Sequence, residues 1–98
     1  MRVRRRFPAS EYPFDPGVKP KRVRLFVKPY CGWCVKAMHW LDKAGVEYEV
    51  VDVTANEPAF GEMIRLSGQD LAPVIDVDGA ILADFGPEQL AEFWKQFE

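Results

Sequence analysis

Apolar and polar positions change rhythm several times along this chain, and each rhythm predicts an element. Val23-Arg24-Leu25-Phe26-Val27 is a β-branched and aromatic run with the length and composition of a buried strand. Over residues 32–44, Cys34, Met38, Leu41 and Ala44 recur at helical spacing, and Gly45 stands where a left-handed C-terminal cap belongs. Val46, Tyr48 and Val50 then alternate with Glu47 and Glu49 ahead of Val51 and Val53, so 46–53 reads as a second strand. Strand, helix and strand in this order imply a parallel pair joined by a right-handed crossover.

Thr54 and Glu57 have the spacing of a capping box, and Phe60, Met63 and Ile64 give the short helix that follows an apolar face ended by Gly68. Asp78-Gly79 tolerates the positive φ angles of a two-residue turn, so 74–77 and 80–82 should pair as an antiparallel hairpin. Pro87 suits the first position of a last helix carrying Leu90, Phe93, Trp94 and Phe97 on one side. The body, 23–98, therefore reads βαβαββα.

Residues 1–22 follow no such rhythm, because Pro8, Pro13, Pro16, Gly17 and Pro20 interrupt any helix or central strand. They read as an extended arm whose Phe7, Tyr12 and Phe14 have the body to pack against. Arg2, Arg4, Arg5, Arg6, Lys19, Lys21 and Arg22 make the arm basic and leave the body acidic, although the whole chain carries only −2. That balance argues against nucleic acid as a partner and against an anionic membrane surface. No run approaches the roughly 18 apolar residues that span a bilayer, and prolines rather than an apolar segment follow the arginines, so a cytoplasmic protein is expected. At 98 residues with 48% hydrophobic composition, one compact core is the ceiling.

The candidate chemistry lies in Cys31-Gly32-Trp33-Cys34, at the junction of the first strand and the first helix. Unpaired amides and the positive end of the helix dipole favour a thiolate at Cys31. The dipole alone supplies too little, so the amides of residues 33 and 34 and the ammonium of Lys28 are the donors expected to add to it. Cys34 lies three residues on, turned to the core, close enough to attack a mixed disulfide formed on Cys31. A tetrahedral zinc site needs four ligands, and two cysteines plus the single His39 cannot supply them, so no metal is expected. In a reducing compartment such a pair points to redox cycling rather than to a permanent staple. His39 is assigned to the helix surface, and Trp40 and Trp94 to packing.

Lys28-Pro29-Tyr30-Cys31-Gly32-Trp33-Cys34, the element order and the Ala72-Pro73 pair together resemble a glutaredoxin over about residues 23–97. The resemblance implies an α/β, thioredoxin-like fold: a four-stranded mixed sheet flanked by three helices. It implies an enzyme that reduces protein disulfides or protein-glutathione mixed disulfides, with glutathione as reductant or co-substrate and no tightly bound cofactor. Disulfide-containing or glutathionylated proteins would be its partners, and a monomer is expected. By the same resemblance Pro73 is cis, the backbone of Ala72 pairs with the substrate, and Lys28 and Arg65 meet a glutathione carboxylate. Trp33 would stand beside Cys31 as an exposed wall, with Tyr30 and Phe85 as its neighbours and Asp84 near the γ-glutamyl end.

Three residues depart from the family pattern. Leu71 replaces the usual Thr, Asp84 is displaced within Ala83-Asp84-Phe85-Gly86, and Gly32 stands where many dithiol members have Pro. The first two suit a redoxin reduced by thioredoxin reductase, of the type that feeds ribonucleotide reductase. The third is shared with members that carry an iron-sulfur cluster bound with glutathione.

Overall fold

The computed structural model describes residues 20–98. The elements run β1 (Val23–Val27), α1 (Gly32–Lys43), β2 (Glu49–Asp52), α2 (Glu57–Ser67), β3 (Val74–Val77), β4 (Ala80–Ala83) and α3 (Pro87–Trp94), closed by a 3-10 turn at Lys95–Phe97. The expected packing of Phe7, Tyr12 and Phe14 lies outside the described residues. Strand order is β2-β1-β3-β4, with β1 and β2 parallel and the other neighbours antiparallel. This is the mixed sheet with three helices that the resemblance implied.

Alternation along the strands divides the core in two. Val23, Leu25 and Val27 share one face with Ile75 and Val77, where they meet Cys34, Ala37 and Leu41 of α1 and Leu90 and Trp94 of α3. Trp40 and Trp94 pack edge to face there, 6.0 Å between ring centres. On the other face Phe26 and Val74 meet Val53 and, from α2, Ala59 and Met63. That face also takes Arg24 and Asp76, which stand opposite each other in the β1–β3 register. Arg24 Nη2 lies 2.6 Å from Asp76 Oδ2 and 2.8 Å from Glu62 Oε2, and Asp76 Oδ1 accepts the Gly79 N–H at 2.8 Å. Each charge drawn from water there has a partner.

Two expected elements are drawn differently. The second strand starts at Glu49, where the parallel register with Arg24 begins, and not at Val46. Val46 and Tyr48 still pack on the α1 side of the core, so their alternation reports burial without pairing. The second helix is not opened by a Thr54–Glu57 box. Thr54 is taken by Asp52, whose Oδ1 accepts its N–H at 2.9 Å and its hydroxyl at 2.7 Å. Asn56 caps α2 instead, accepting the Ala59 N–H at 3.2 Å.

Asp78 and Gly79 both have positive φ, 50° and 96°, as the two-residue turn requires. The Asp78 carboxylate also accepts the backbone N–H groups of Lys21 and Arg22, each at 2.8 Å. The chain entering β1 is thereby fastened to the β3–β4 turn. This is the end of the sheet away from the β1–α1 junction.

Candidate active site

The site grows out of that junction. β1 ends at Val27, and Lys28-Pro29-Tyr30 turns the chain through a left-handed Tyr30, φ 61°, whose side chain is exposed. Cys31 follows with extended backbone and serves as the N-cap of α1, its Sγ accepting the Cys34 N–H at 3.2 Å. A sulfur occupies the place where Ser or Asp oxygen usually satisfies a free helix amide. The sulfur thus lies at the positive end of the α1 dipole.

Cys34 sits one helical turn on, only 1% exposed and packed among the apolar residues between α1 and the sheet. Burial, and next the hydrogen bond with the Cys31 sulfur, push its thiol up to about 12; the Lys28 backbone and charge oppose this more weakly. Cys34 therefore stays protonated at neutral pH. Both sulfurs are free thiols in this structure.

A second loop closes over Cys31. The Ala72–Pro73 peptide is cis, Pro73 is buried, and the Ala72 carbonyl oxygen lies 4.0 Å from Cys31 Sγ. Pro73 O in turn accepts the N–H of Asp84, which has φ 53°. The Pro73 loop is thus joined to the Asp84 loop through the backbone and meets the Cys31 loop at the sulfur. Leu71, at the outer edge of this region, is 52% exposed.

Trp33 projects from the first turn of α1 with 55% of its surface exposed, and Lys36 Nζ lies 4.4 Å from its ring centre. Beside it is a groove of about 600 Å³ lined by Trp33, Lys36, Asp84, Phe85, Gly86 and Glu88, among others. Phe85 lines the groove beside Trp33, as expected, but from below. It is 3% exposed and belongs to the core cluster, so it forms the floor of the groove. The group against Trp33 is Gly86, where a Cβ would come within 3.0 Å of Trp33 Cζ3.

The two cations expected to bind a carboxylate stand on the α2 side. Lys28 Nζ donates to Asp70 O at 2.8 Å and lies 5.5 Å from the Phe60 ring centre, rather than donating to the Cys31 sulfur as expected. A backbone carbonyl on the neighbouring loop outcompeted the thiol for it. Arg65 is exposed in the last turn of α2. The structure thus brings Cys31, Cys34, Ala72 and Pro73 together, with Trp33 and Asp84 along one groove and Lys28 on the opposite flank. Lys36 and Gly86 went unnoticed in the sequence. Lys36 was discoverable, since i, i+3 pairs meet on a helix surface, whereas the Trp33–Gly86 contact is tertiary.

Among the described residues no three His, Cys, Asp or Glu side chains are grouped so as to hold a metal ion, and no helix is long and apolar enough to cross a membrane.

The family model described as Glutaredoxin matches residues 23–82. An uncharacterized glutaredoxin-like 8.6 kDa protein in the rubredoxin operon of Clostridium pasteurianum is 29% identical over 68 residues, which are 69% of this chain and 91% of that protein. Among solved structures, the thioredoxin-like protein BC3987 superposes with a TM-score of 0.67 at 25% identity, covering 72% of this chain and 97% of that one. The glutaredoxin-like protein NrdH-redoxin from Escherichia coli, whose structure was described as the basis of a thioredoxin-like activity profile, gives 0.62 at 20% identity over 72% of this chain and 92% of that one. The last likeness is one of fold.

Proposed function

The chain belongs to the glutaredoxin family of thioredoxin-fold redox proteins, and from that premise we propose that it is a dithiol oxidoreductase reducing disulfides through Cys31 and Cys34. The observation that supports this best is the asymmetry of the two sulfurs. One receives an amide hydrogen bond at a helix N-terminus beside the Ala72 carbonyl, and the other is buried and held protonated.

In the first step the Cys31 thiolate attacks one sulfur of the substrate disulfide. The S–S bond breaks, the departing sulfur leaves as a thiolate, and Cys31 is left in a mixed disulfide. Cys34 then gives up its proton, attacks Cys31 Sγ and releases the second substrate thiolate. Two electrons have passed to the substrate, and Cys31 and Cys34 are joined. Loss of the Cys31 negative charge on forming the mixed disulfide removes one cause of the high Cys34 value, so the resolving thiol becomes easier to ionise when it is needed.

Glutathione is the reductant proposed first: one molecule opens the Cys31–Cys34 bond and a second releases the first as glutathione disulfide. Lys28 and Arg65 would hold its carboxylate on the α2 flank, and the Ala72 backbone would pair with its cysteine part. A second reading has specific support. Leu71 presents an apolar, exposed side chain next to the cis-proline, and the Asp84 N–H is already used by Pro73 O. Both favour a protein surface over a tripeptide, and hence reduction by thioredoxin reductase.

The test uses an insulin-type or peptide disulfide with each reductant in turn. Cys31→Ser should abolish turnover, while Cys34→Ser should accumulate a mixed disulfide visible by intact mass. Equal activity in these proteins and the parent refutes the mechanism. Turnover with glutathione and its reductase, set against turnover with thioredoxin reductase, decides between the reductants.

A further inference from the structure

Gly86 adopts φ −108° and ψ −178°, extended backbone open to any residue, so the position does not need glycine for its conformation. It needs glycine for space. A Cβ there would lie 3.0 Å from Trp33 Cζ3, 3.3 Å from Trp33 Cε3 and 3.2 Å from Gln89 Oε1. Gln89 is a flexible chain end and can give way, although its Oε1 accepts the Gly86 N–H at 2.9 Å.

The backbone at 86 cannot retreat easily. Its carbonyl accepts the Leu90 N–H at 3.0 Å as α3 begins, Phe85 before it is buried in the core, and Pro87 after it has a fixed φ. The side chain that must yield is therefore the indole of Trp33. That ring is also covered by the Lys36 ammonium, 4.4 Å from its centre, so it is held by two groups outside the Cys-x-x-Cys motif.

We propose that Gly86 is a positioning residue for exchange at Cys31: by carrying no side chain it lets the Trp33 indole seat against the amino end of α3, which fixes the wall along which a disulfide substrate approaches. The proposal rests on the redox reading above and extends it to a residue that does not touch sulfur. With any larger residue at 86 the indole swings off α3 into the adjoining groove, narrowing the path between Trp33, Asp84 and Glu88. Lys36 has a lesser part, steadying the ring from the helix side.

The experiment labels the protein with 5-fluorotryptophan, giving one ¹⁹F resonance for each of the three Trp, and assigns the Trp33 line by its loss in Trp33→Phe. Gly86→Ala should displace the Trp33 line and leave the Trp40 and Trp94 lines in place, which also shows that the core is intact. In the disulfide-peptide assay kcat/KM should fall about fivefold, the change lying mostly in KM, as expected for modest overpacking. In a Trp33→Ala background the same substitution should change kcat/KM little, because the group it displaces is gone. Lys36→Gln should move the same ¹⁹F line by less.

A Trp33 line that does not respond to Gly86→Ala overturns the proposal. So does an equal loss of activity with and without the indole, which would place the effect in the start of α3. A wild-type protein that reduces no disulfide overturns the redox reading and this proposal together, whereas an active protein without the coupling overturns this one alone.

Discussion

On one face of the sheet Leu25, Ile75 and Val77 meet α1 and α3 through apolar contact, and the ionisable group embedded there is the Cys34 thiol. On the other face the buried carboxylate of Asp76 reaches Arg24, which reaches Glu62 on α2. Both faces draw titratable groups out of water, with opposite results. Burial beside a neutral core and a neighbouring sulfur drives Cys34 towards its uncharged form, whereas the guanidinium holds Glu62 below the usual carboxylate range and keeps it charged. The Cys34 thiol has only the weaker pull of the Lys28 charge against its burial, whereas the groups on the other face are paired directly.

The largest effects come from breaking each face by its own rule. Leu41→Ala should cost about 3 kcal/mol in urea unfolding, through the cavity it leaves under α1. Asp76→Ala should cost roughly 2 kcal/mol, by taking from the Arg24 guanidinium one of its two carboxylate partners and from the Gly79 N–H its side-chain acceptor. The comparison sharpens when Arg24, Glu62 and Asp76 are replaced together by Met, Leu and Leu, since a whole ion cluster exchanged for apolar groups loses little. Recovery of most of the Asp76→Ala deficit is expected, and no recovery would show that the charges contribute more than mutual neutralisation.

A smaller effect follows from pH. The folded reduced protein holds the Cys34 proton more tightly than the unfolded chain does, so the associated stability is complete below the ordinary thiol value near 9 and is lost as pH rises towards about 12. Within that window the loss is roughly 1.4 kcal/mol for each pH unit. Urea titrations of reduced wild type and Cys34→Ala should diverge above about pH 9, since an ordinary thiol begins to ionise there. Tyr48, whose hydroxyl burial also pushes upward, contributes in the same direction to both proteins and cancels in the difference. Parallel curves would mean that Cys34 is far better solvated than its packing implies.

The smallest effect belongs to neither face. Arg22 and Glu49 form an exposed pair at 3.2 Å, and Arg22→Ala should change stability by no more than about 0.5 kcal/mol in the same denaturation experiment.

The elements that were legible in advance are those decided by neighbours in sequence. Asp78-Gly79 could serve only as a tight turn, Gly68 closes α2 at φ 74°, and the Cys34–Leu41 spacing already put that face of α1 on the sheet. Where two local devices competed, the reading failed. Thr54 had a nearer acceptor in Asp52, which left Asn56 to cap α2. The start of β2 depended on where β1 offers a partner, and alternation at Val46 and Tyr48 carries no trace of that. The site was legible as a motif and not as a surface. Cys31 and Pro73 were named from their types and order, whereas the burial of Phe85, the use of Lys28 by Asp70 and the seat of Trp33 on Gly86 arise from chain segments distant in sequence.

The clasp between the Asp78 carboxylate and the amides of Lys21 and Arg22 has a practical corollary. β1 runs from that clasp towards the sulfur, and five residues of strand extend about 16 Å. A tether, fluorophore or solid support joined through the exposed side chain of Lys21 would be delivered to the remote margin of the sheet, leaving the thiol pole turned outward. Immobilised in that orientation, the molecule could meet soluble disulfides without its own anchor standing in their way.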